Sequence, residues 1–591
     1  MSILVGEVIG VHGTKVTLKV FENSSKETLF FEGKKFKGVS IREYVTISRG
    51  FRDIVCIVEG EYLDERNFES QGNRTSYIRK IEAKPIGYLE NGEFNRGIKF
   101  LPMIKDSAFL LSEENVKKIY SRNLESEFVV GKMLKEDIPI SLPWSRLFNS
   151  HIGIFGNTGS GKSNTLAKLY TLLFEQKSEE MANKSNFVIL DFNGEYTNNQ
   201  LTDAASKEVL KLNTHTEEDK FPLSQAEFWN TETLSILFQA TTNTQKPFLN
   251  RVITGREKFN DNPDSLDSYI KSTFRRVFSA AQPKGEALNL IRKIATILDA
   301  DSVSNLLREV VWNGTNGNFQ YSNAGNTTYF NSDGVGYNTV FQAAVNNITL
   351  ENLDAFDELV IRANLMLIRD LIYGAVQFEH IQPLMKRIDS SVSGLKKILT
   401  LTAEANPVEL LTIISLRKCN QEMKKVLPLL IAKHYYHLHK NRVENPPNKT
   451  MHLIIDEAHN ILSQQSSREH EIWKDYRLEL FEEIIKEGRK FGMFITLASQ
   501  RPADISPTIV SQLHNFFIHR LVNDRDLFLL ENTITTLDSL SRSLIPSLAQ
   551  GSCVVTGTSF ELPMVLQIDL LPTELQPDSS DVPLDRLWVS E

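Results

Sequence analysis

Three cysteines in 591 residues, Cys56, Cys419 and Cys553, are far apart and odd in number, which argues against both a disulfide framework and a zinc site. No uninterrupted apolar run reaches membrane-spanning length. The opening Met1-Ser2-Ile3-Leu4-Val5-Gly6-Glu7 lacks the basic segment that begins a signal peptide. A positive overall field is missing too. The formal net charge is -8, so any contact with nucleic acid has to come from a local basic strip, such as a channel lining. With 41% hydrophobic and 24% charged residues the chain is of ordinary globular composition, and it is too long for one core. The expectation is a soluble, reduced, cytoplasmic protein of several domains with no membrane association.

The first hundred residues read as strands. Val16, Leu18 and Val20 alternate with Thr17 and Lys19 after the turn at His12-Gly13, and β-rich runs follow over 44–48, 54–59 and 77–88. This predicts a small N-terminal β-barrel or sandwich over 1–103, followed by a connector over 104–145. From His151 apolar strand-like runs alternate with amphipathic helices, the pattern of an α/β protein with a parallel sheet. Strands are expected at 152–155, 187–190, 410–414, 453–455 and 494–498. The core thus runs over 146–234 and 407–566, closing with a hairpin at 551–566. The interval 235–406 is longer than any crossover needs and reads as a helical insertion with a Gly/Asn-rich break at 313–336. Pro572, Pro577 and Pro583 argue against a helix over 567–591, which is expected to be an extended tail packed on a neighbour, or else a disordered end.

Gly156-Asn157-Thr158-Gly159-Ser160-Gly161-Lys162-Ser163 matches GxxxxGK[ST], with Asn164 following. An apolar strand precedes it. Leu166, Leu169, Tyr170 and Leu173 lie at i, i+3, i+4, i+7, so a helix begins at the loop. Glycines let backbone N–H groups turn around phosphate oxygens, and the helix start adds its positive end. Lys162 can reach the β- and γ-phosphates of ATP, and the Ser163 hydroxyl can bind Mg²⁺. The second half of such a site is an apolar strand ending in an acid, and Leu453-Ile454-Ile455-Asp456-Glu457 fits. Asp456 is the candidate for the Mg²⁺ shell and Glu457 for orienting or deprotonating the attacking water. A third acidic strand end, Asp191 with Glu195, is a candidate to flank the nucleotide or an adjacent subunit, or else a plain loop cap. Gln500, at the end of a further strand, is placed to sense the γ-phosphate. Arg489, where a charged helix stops near Gly492, can act as an arginine finger if the chain forms a ring.

The order of these segments resembles the HerA-type ATPases of the HerA/FtsK group of RecA-like motors. The carriers are the Lys162 loop, Asp191 to Tyr196, Asp456-Glu457-Ala458-His459, Glu487-Gly488-Arg489-Lys490-Phe491-Gly492, Ala498-Ser499-Gln500-Arg501-Pro502, and the run from Ser506 to His519-Arg520. The N-terminal region resembles that family's HAS barrel. The resemblance implies a hexameric homo-oligomer and ATP-driven movement along double-stranded DNA. It also implies a docked partner, either a nuclease or another effector of bacterial and anti-phage defence. An ATP-controlled platform that activates an effector without translocating is the alternative. Two departures stand out. Phe192-Asn193 replaces the usual proline-bearing stretch, and the strand ending at Ser415 lacks the acid often seen there.

His434, His437 and His439 read as a solvated helix rather than a metal site, and the segment 469–483 as an exposed, salt-bridged helix. Arg275-Arg276, Arg292-Lys293 and Lys396-Lys397 are candidate DNA contacts or, more simply, solvated faces.

Overall fold

A computed structural model describes residues 3–24, 28–31, 34–68, 74–120, 128–259, 262, 264–323, 325–403, 409–464, 471–579 and 588. The chain divides into two compact units. One comprises 1–181, 199–203 and 494–591, the other 182–198 and 204–493.

The first unit begins with a closed barrel. Its six strands follow one another around the wall as Lys15–Val20, Leu4–His12, Ser107–Leu110, Tyr44–Arg49, Arg52–Phe68 and Arg74–Glu90, the last pairing back onto the first. Period-2 alternation buries Val16, Leu18 and Val20 with Val8, Val45 and Ile54 inside. Pro85 sits at a register shift in the longest strand pair, where its missing N–H breaks no regular ladder. The closing strand Ser107–Leu110 comes from the stretch expected to be a connector, since four residues are too few to reveal alternation. The same stretch supplies Val129–Met133 and Pro139–Ser141, which pair antiparallel at the edge of the unit's second sheet. From that edge the order runs Met564–Ile568, Ser552–Gly557, Asn515–Ile518, Ile152–Phe155 and Met493–Ser499. The last three are joined in parallel, and the C-terminal hairpin is antiparallel and pairs antiparallel with Asn515–Ile518. Lys135 ties this sheet's edge to the barrel through the Ile41 carbonyl at 2.7 Å and Glu43 at 3.0 Å.

The second unit holds four parallel strands in the order Thr450–Ile455, Ser185–Asp191, Leu411–Lys418 and Glu208–Asn213. The insertion is entered after Phe221–Ser224 and left through Leu399–Thr402, which pair in parallel across its neck. At its centre, Ala355–Ile372 is buried on most of its circumference, as its near-continuous apolar sequence requires. It packs on Gln245–Glu257, Ser265–Phe278, Glu286–Ile297 and Phe378–Ile398. The expected Gly/Asn-rich break contains strands. Val310–Asn313, Asn318–Asn323 and Asn326–Tyr329 form an antiparallel sheet whose first turn is capped by the Asn313 side chain and pinned by Trp312 against Phe319. The charged helix spans Glu471–Gly488 and, beside its Lys486–Glu482 pair, buries Phe481, Ile484 and Ile485. Its expected start at 469 lies outside the described residues. No described helix is long and apolar enough to cross a membrane. All three cysteines are buried thiols.

Candidate nucleotide site

In the first unit the strand Ile152–Phe155 is fully buried and delivers the chain into the glycine-rich loop at its carboxyl end. Gly156 N–H bonds the Ser499 carbonyl at 3.2 Å and Asn157 N–H the Arg520 carbonyl at 3.0 Å, so both neighbouring strands hold the loop's first turn. Gly159 and Gly161 take φ of 72° and 106°, conformations that side chains resist. A Cβ at Gly156 would lie 2.5 Å from both His519 Cβ and Ser160 Oγ, and one at Gly161 would lie 2.8 Å from Gly551 Cα. The turn therefore has no room for side chains at these two positions. The helix Lys162–Met181 follows, with Leu166, Leu169, Tyr170 and Leu173 buried and Tyr170 O–H bonded to Thr496 at 2.7 Å. Lys162 is itself buried at the helix start, beside Ser163. Thr158 O–H donates to Gln500 Oε1 at 2.5 Å, which brings Gln500 onto the loop. Asn164 faces the other way. Its side chain donates to the Asp569 carbonyl at 3.2 Å and accepts from Leu571 N–H at 3.3 Å, anchoring the first residues of the tail to the loop's own helix. Residues 580–587 and 589–591 of the tail lie outside the described ones.

His519 was not singled out for a role by its sequence, although it ends the apolar strand Asn515–Ile518 at the sheet's carboxyl edge, where polar side chains meet ligands. It is fully buried. Its Nδ1 lies 2.9 Å from the Ser552 carbonyl, which can only accept, so Nδ1 carries the proton. Nε2 lies 2.9 Å from Thr165 Oγ1 and, in the neutral ring, accepts its hydroxyl. Burial pushes the imidazole down to about 4, and the Lys162 charge pushes the same way. A neutral ring thus links the helix, the hairpin and the turn of the loop.

In the second unit Asp456 N–H extends the ladder to the Leu190 carbonyl at 3.1 Å, bringing Asp456 beside Asp191 at two strand ends. Burial pushes the Asp191 carboxyl up to about 6; the loop's N–H groups oppose this and the Asp456 charge adds to it. Asp191 accepts from the backbone N–H groups of Asn193, Gly194 and Tyr196 at 3.2, 2.7 and 3.0 Å. Its carboxylate thereby builds the loop. The departure at Phe192 is accommodated by burying that ring. Glu195 is buried and accepts from the Asn193 amide at 3.1 Å. Glu457 takes φ of 48°, a strained value for a side-chain-bearing residue, with its N–H on Asp456 Oδ1 at 3.0 Å and its Oε2 3.3 Å from His459 Nδ1. Arg489 is exposed in the 3-10 turn Arg489–Phe491 that follows the charged helix. His439 holds this turn by bonding the Phe491 carbonyl at 2.7 Å, and Gly492, with φ of 77°, reverses the chain.

The histidine and basic-pair readings resolve along structural lines. His434 lies 2.8 Å from Glu227, a carboxylate the sequence gave no reason to place there, and among the described residues no three His, Cys, Asp or Glu side chains are grouped to hold a metal ion. Arg292 caps the Leu307 and Val310 carbonyls, Lys293 pairs with Asp389, and Lys396 with Asp354 and Asp357. Lys397 bonds the His215 carbonyl, and Arg276 lies over the Tyr373 ring.

A strand, a glycine loop whose turn is closed to side chains at Gly156 and Gly161, and a lysine-headed helix define a P-loop ATPase of α/β class. Residues 128–307 match the family described as the central domain of helicase HerA. The DNA double-strand break repair helicase HerA of Sulfurisphaera tokodaii is 23% identical over 533 residues, covering 88% of this chain and 84% of that protein. A probable HerA helicase of Methanocaldococcus jannaschii is 22% identical over 540 residues, covering 88% and 92%. Over most of its length the chain is thus similar to HerA-type helicases. Among solved structures, VirB4 of Thermoanaerobacter pseudethanolicus aligns at a TM-score of 0.44 with 12% identity, over 77% of this chain and 99% of that one. The plasmid coupling protein TrwB with ADP and Mg²⁺ aligns at 0.41 with 10% identity, over 78% and 93%.

Proposed function

We propose that this ATPase is a ring-forming double-stranded DNA translocase. The fit of the glycine loop to a polyphosphate carries the reading, because its turn is closed to side chains and is followed by a buried lysine. Lys162 and the loop's N–H groups hold the β- and γ-phosphates of ATP, while Ser163 and Asp456 hold Mg²⁺. When bound, Mg²⁺ offsets phosphate charge in phosphoryl transfer. Glu457 orients the attacking water and accepts its proton. Gln500, bonded to Thr158, senses the γ-phosphate, and Asp191 and Glu195 shape the neighbouring loop. Arg489 serves the site of the next subunit in a hexamer, with a nuclease or another defence effector docked on the ring.

The test is steady-state ATPase activity with and without linear duplex DNA at fixed salt, together with movement of labelled duplex. Duplex-stimulated turnover and movement, both lost in Lys162→Ala, are expected. Turnover indifferent to DNA, with no duplex binding, would sink the translocase reading. A second reading, an ATP-controlled platform for an effector, is favoured by the exposed Phe51 on the barrel and the exposed Leu101, Met103 and Ile104 that precede its closing strand. It expects Glu457→Gln, which binds ATP but hydrolyses it slowly, to activate the effector fully.

A further inference from the structure

The second unit carries a cationic pocket that none of the motifs accounts for. It is a cleft of about 210 Å³ outside the carboxyl ends of Ser185–Asp191, Leu411–Lys418 and Glu208–Asn213. In a parallel sheet this is the edge at which ligands bind. Arg417, Lys211 and Lys418 line it, with Thr197.

The stem of Arg417 crosses Gly194. A Cβ there would lie 3.0 Å from Arg417 Cδ and 3.4 Å from both Arg417 Cβ and Ser415 Oγ, and Gly194 itself takes φ of 78°. The glycine therefore does two things: it makes the turn and it clears a track for the arginine. Among the described residues, neither the Arg417 guanidinium nor the Lys211 ammonium has a hydrogen bond or ion pair, whereas Lys418 is paired with Glu218 at 2.7 Å. Asp219 is spent on the Lys211 backbone N–H at 2.9 Å. The carboxylates of the adjoining loop are turned inward, Asp191 to three backbone N–H groups and Glu195 to the Asn193 amide. An arginine whose stem is packed and whose head is unpaired has lost part of its conformational freedom before any ligand arrives, which favours binding. Its planar fork matches two oxygens of one phosphate.

We infer that Arg417, with Lys211 beside it, binds a phosphate group in this cleft, separately from the glycine loop. The phosphate belongs either to a nucleic-acid backbone or to a nucleotide, and the two sources give different results in one experiment. The inference draws on the translocase reading only in making duplex DNA the first probe.

The experiment is arginine modification by phenylglyoxal, read peptide by peptide by mass spectrometry, on full-length Lys162→Ala protein so that the glycine loop does not bind the probe. Arg417 is expected to label readily in the free protein. Duplex DNA near four times its dissociation constant should slow that labelling about fivefold. Protection by tripolyphosphate or ATP but not by duplex would assign the site to a nucleotide. Labelling of Arg417 unchanged by duplex, tripolyphosphate and ATP would overturn the proposal. Arg417→Ala supplies a second measure: if the source is DNA, the slope of log affinity against log salt falls by about one, and Arg417→Lys restores most of it. Protection by tripolyphosphate in a protein whose wild-type ATPase ignores duplex would remove the translocase reading and leave the site standing.

Discussion

His519→Asn tests the buried imidazole behind the glycine loop. Asparagine can keep a donor toward the Ser552 carbonyl but is too short to accept from Thr165. The folded ring titrates at about 4, against about 6.5 in an unfolded chain. Between those values the unfolded state binds more protons than the folded one, so stability falls as pH is lowered through this window and levels off below it. Two and a half pH units at 1.36 kcal/mol each correspond to about 3 kcal/mol in all, of which about 2 kcal/mol is gone by pH 5. Other titrating groups act equally on wild type and variant, so the difference between the two isolates His519. The assay is urea unfolding at pH 7, 6, 5 and 4.5, followed by hydrogen exchange in peptides of the helix Lys162–Met181. His519→Asn should be less stable than wild type at pH 7 and should lose less stability on acidification. Parallel pH profiles would refute the argument, because they would mean that His519 is as easily protonated in the fold as out of it.

Gly161→Ala should weaken binding of a non-hydrolysable ATP analogue at least about tenfold by calorimetry, since the new Cβ combines a forbidden φ with a 2.8 Å approach to Gly551 Cα. Gly159→Ala, where nothing lies within 4 Å, meets only the backbone term of about 1–2 kcal/mol and should bind more tightly than Gly161→Ala. Arg489→Ala should leave the oligomer intact by light scattering and cut ATP turnover at least about tenfold, a loss of about 1.4 kcal/mol of transition-state stabilisation; wild-type turnover would remove Arg489 from the site.

The strands that carry the motifs were legible because they are buried on both faces, so that a short apolar run bounded by polar residues marks each one. The expected run at 152–155 coincides with the strand Ile152–Phe155, and the runs at 187, 453 and 494 each fall inside a strand. What escaped depends on partners distant in sequence. Val129–Met133 is a strand because Met564–Ile568, more than four hundred residues away, offers it an edge, and its Gly131 fits there because a Cβ would strike the Gln567 carbonyl. Nothing local to Gly131 says so. The sheet at 310–329 was hidden in the opposite way: its asparagines and glycines are turn formers, and the strands between the turns are too short to show alternation.

The site divides along the same line. Glycine, lysine and adjacent carboxylates at fixed spacing can be read because phosphate chemistry constrains neighbours in sequence. His519 and Arg417 could not be read in this way. One is defined by Thr165 and Ser552, the other by a track over Gly194, and no spacing encodes either contact. His519 and Gln500 follow strands of the first unit's sheet, and Arg417, Asp191 and Asp456 lie at the carboxyl ends of strands in the second unit's sheet. Listing the first few polar residues beyond the apolar run of each such strand would include all five without any motif, Arg417 coming after Ser415 and Gln500 after Ser499. In a parallel α/β protein, strand ends are therefore a broader guide to function than spacing patterns, because each sheet brings its own strand ends to one edge whatever their distance in sequence.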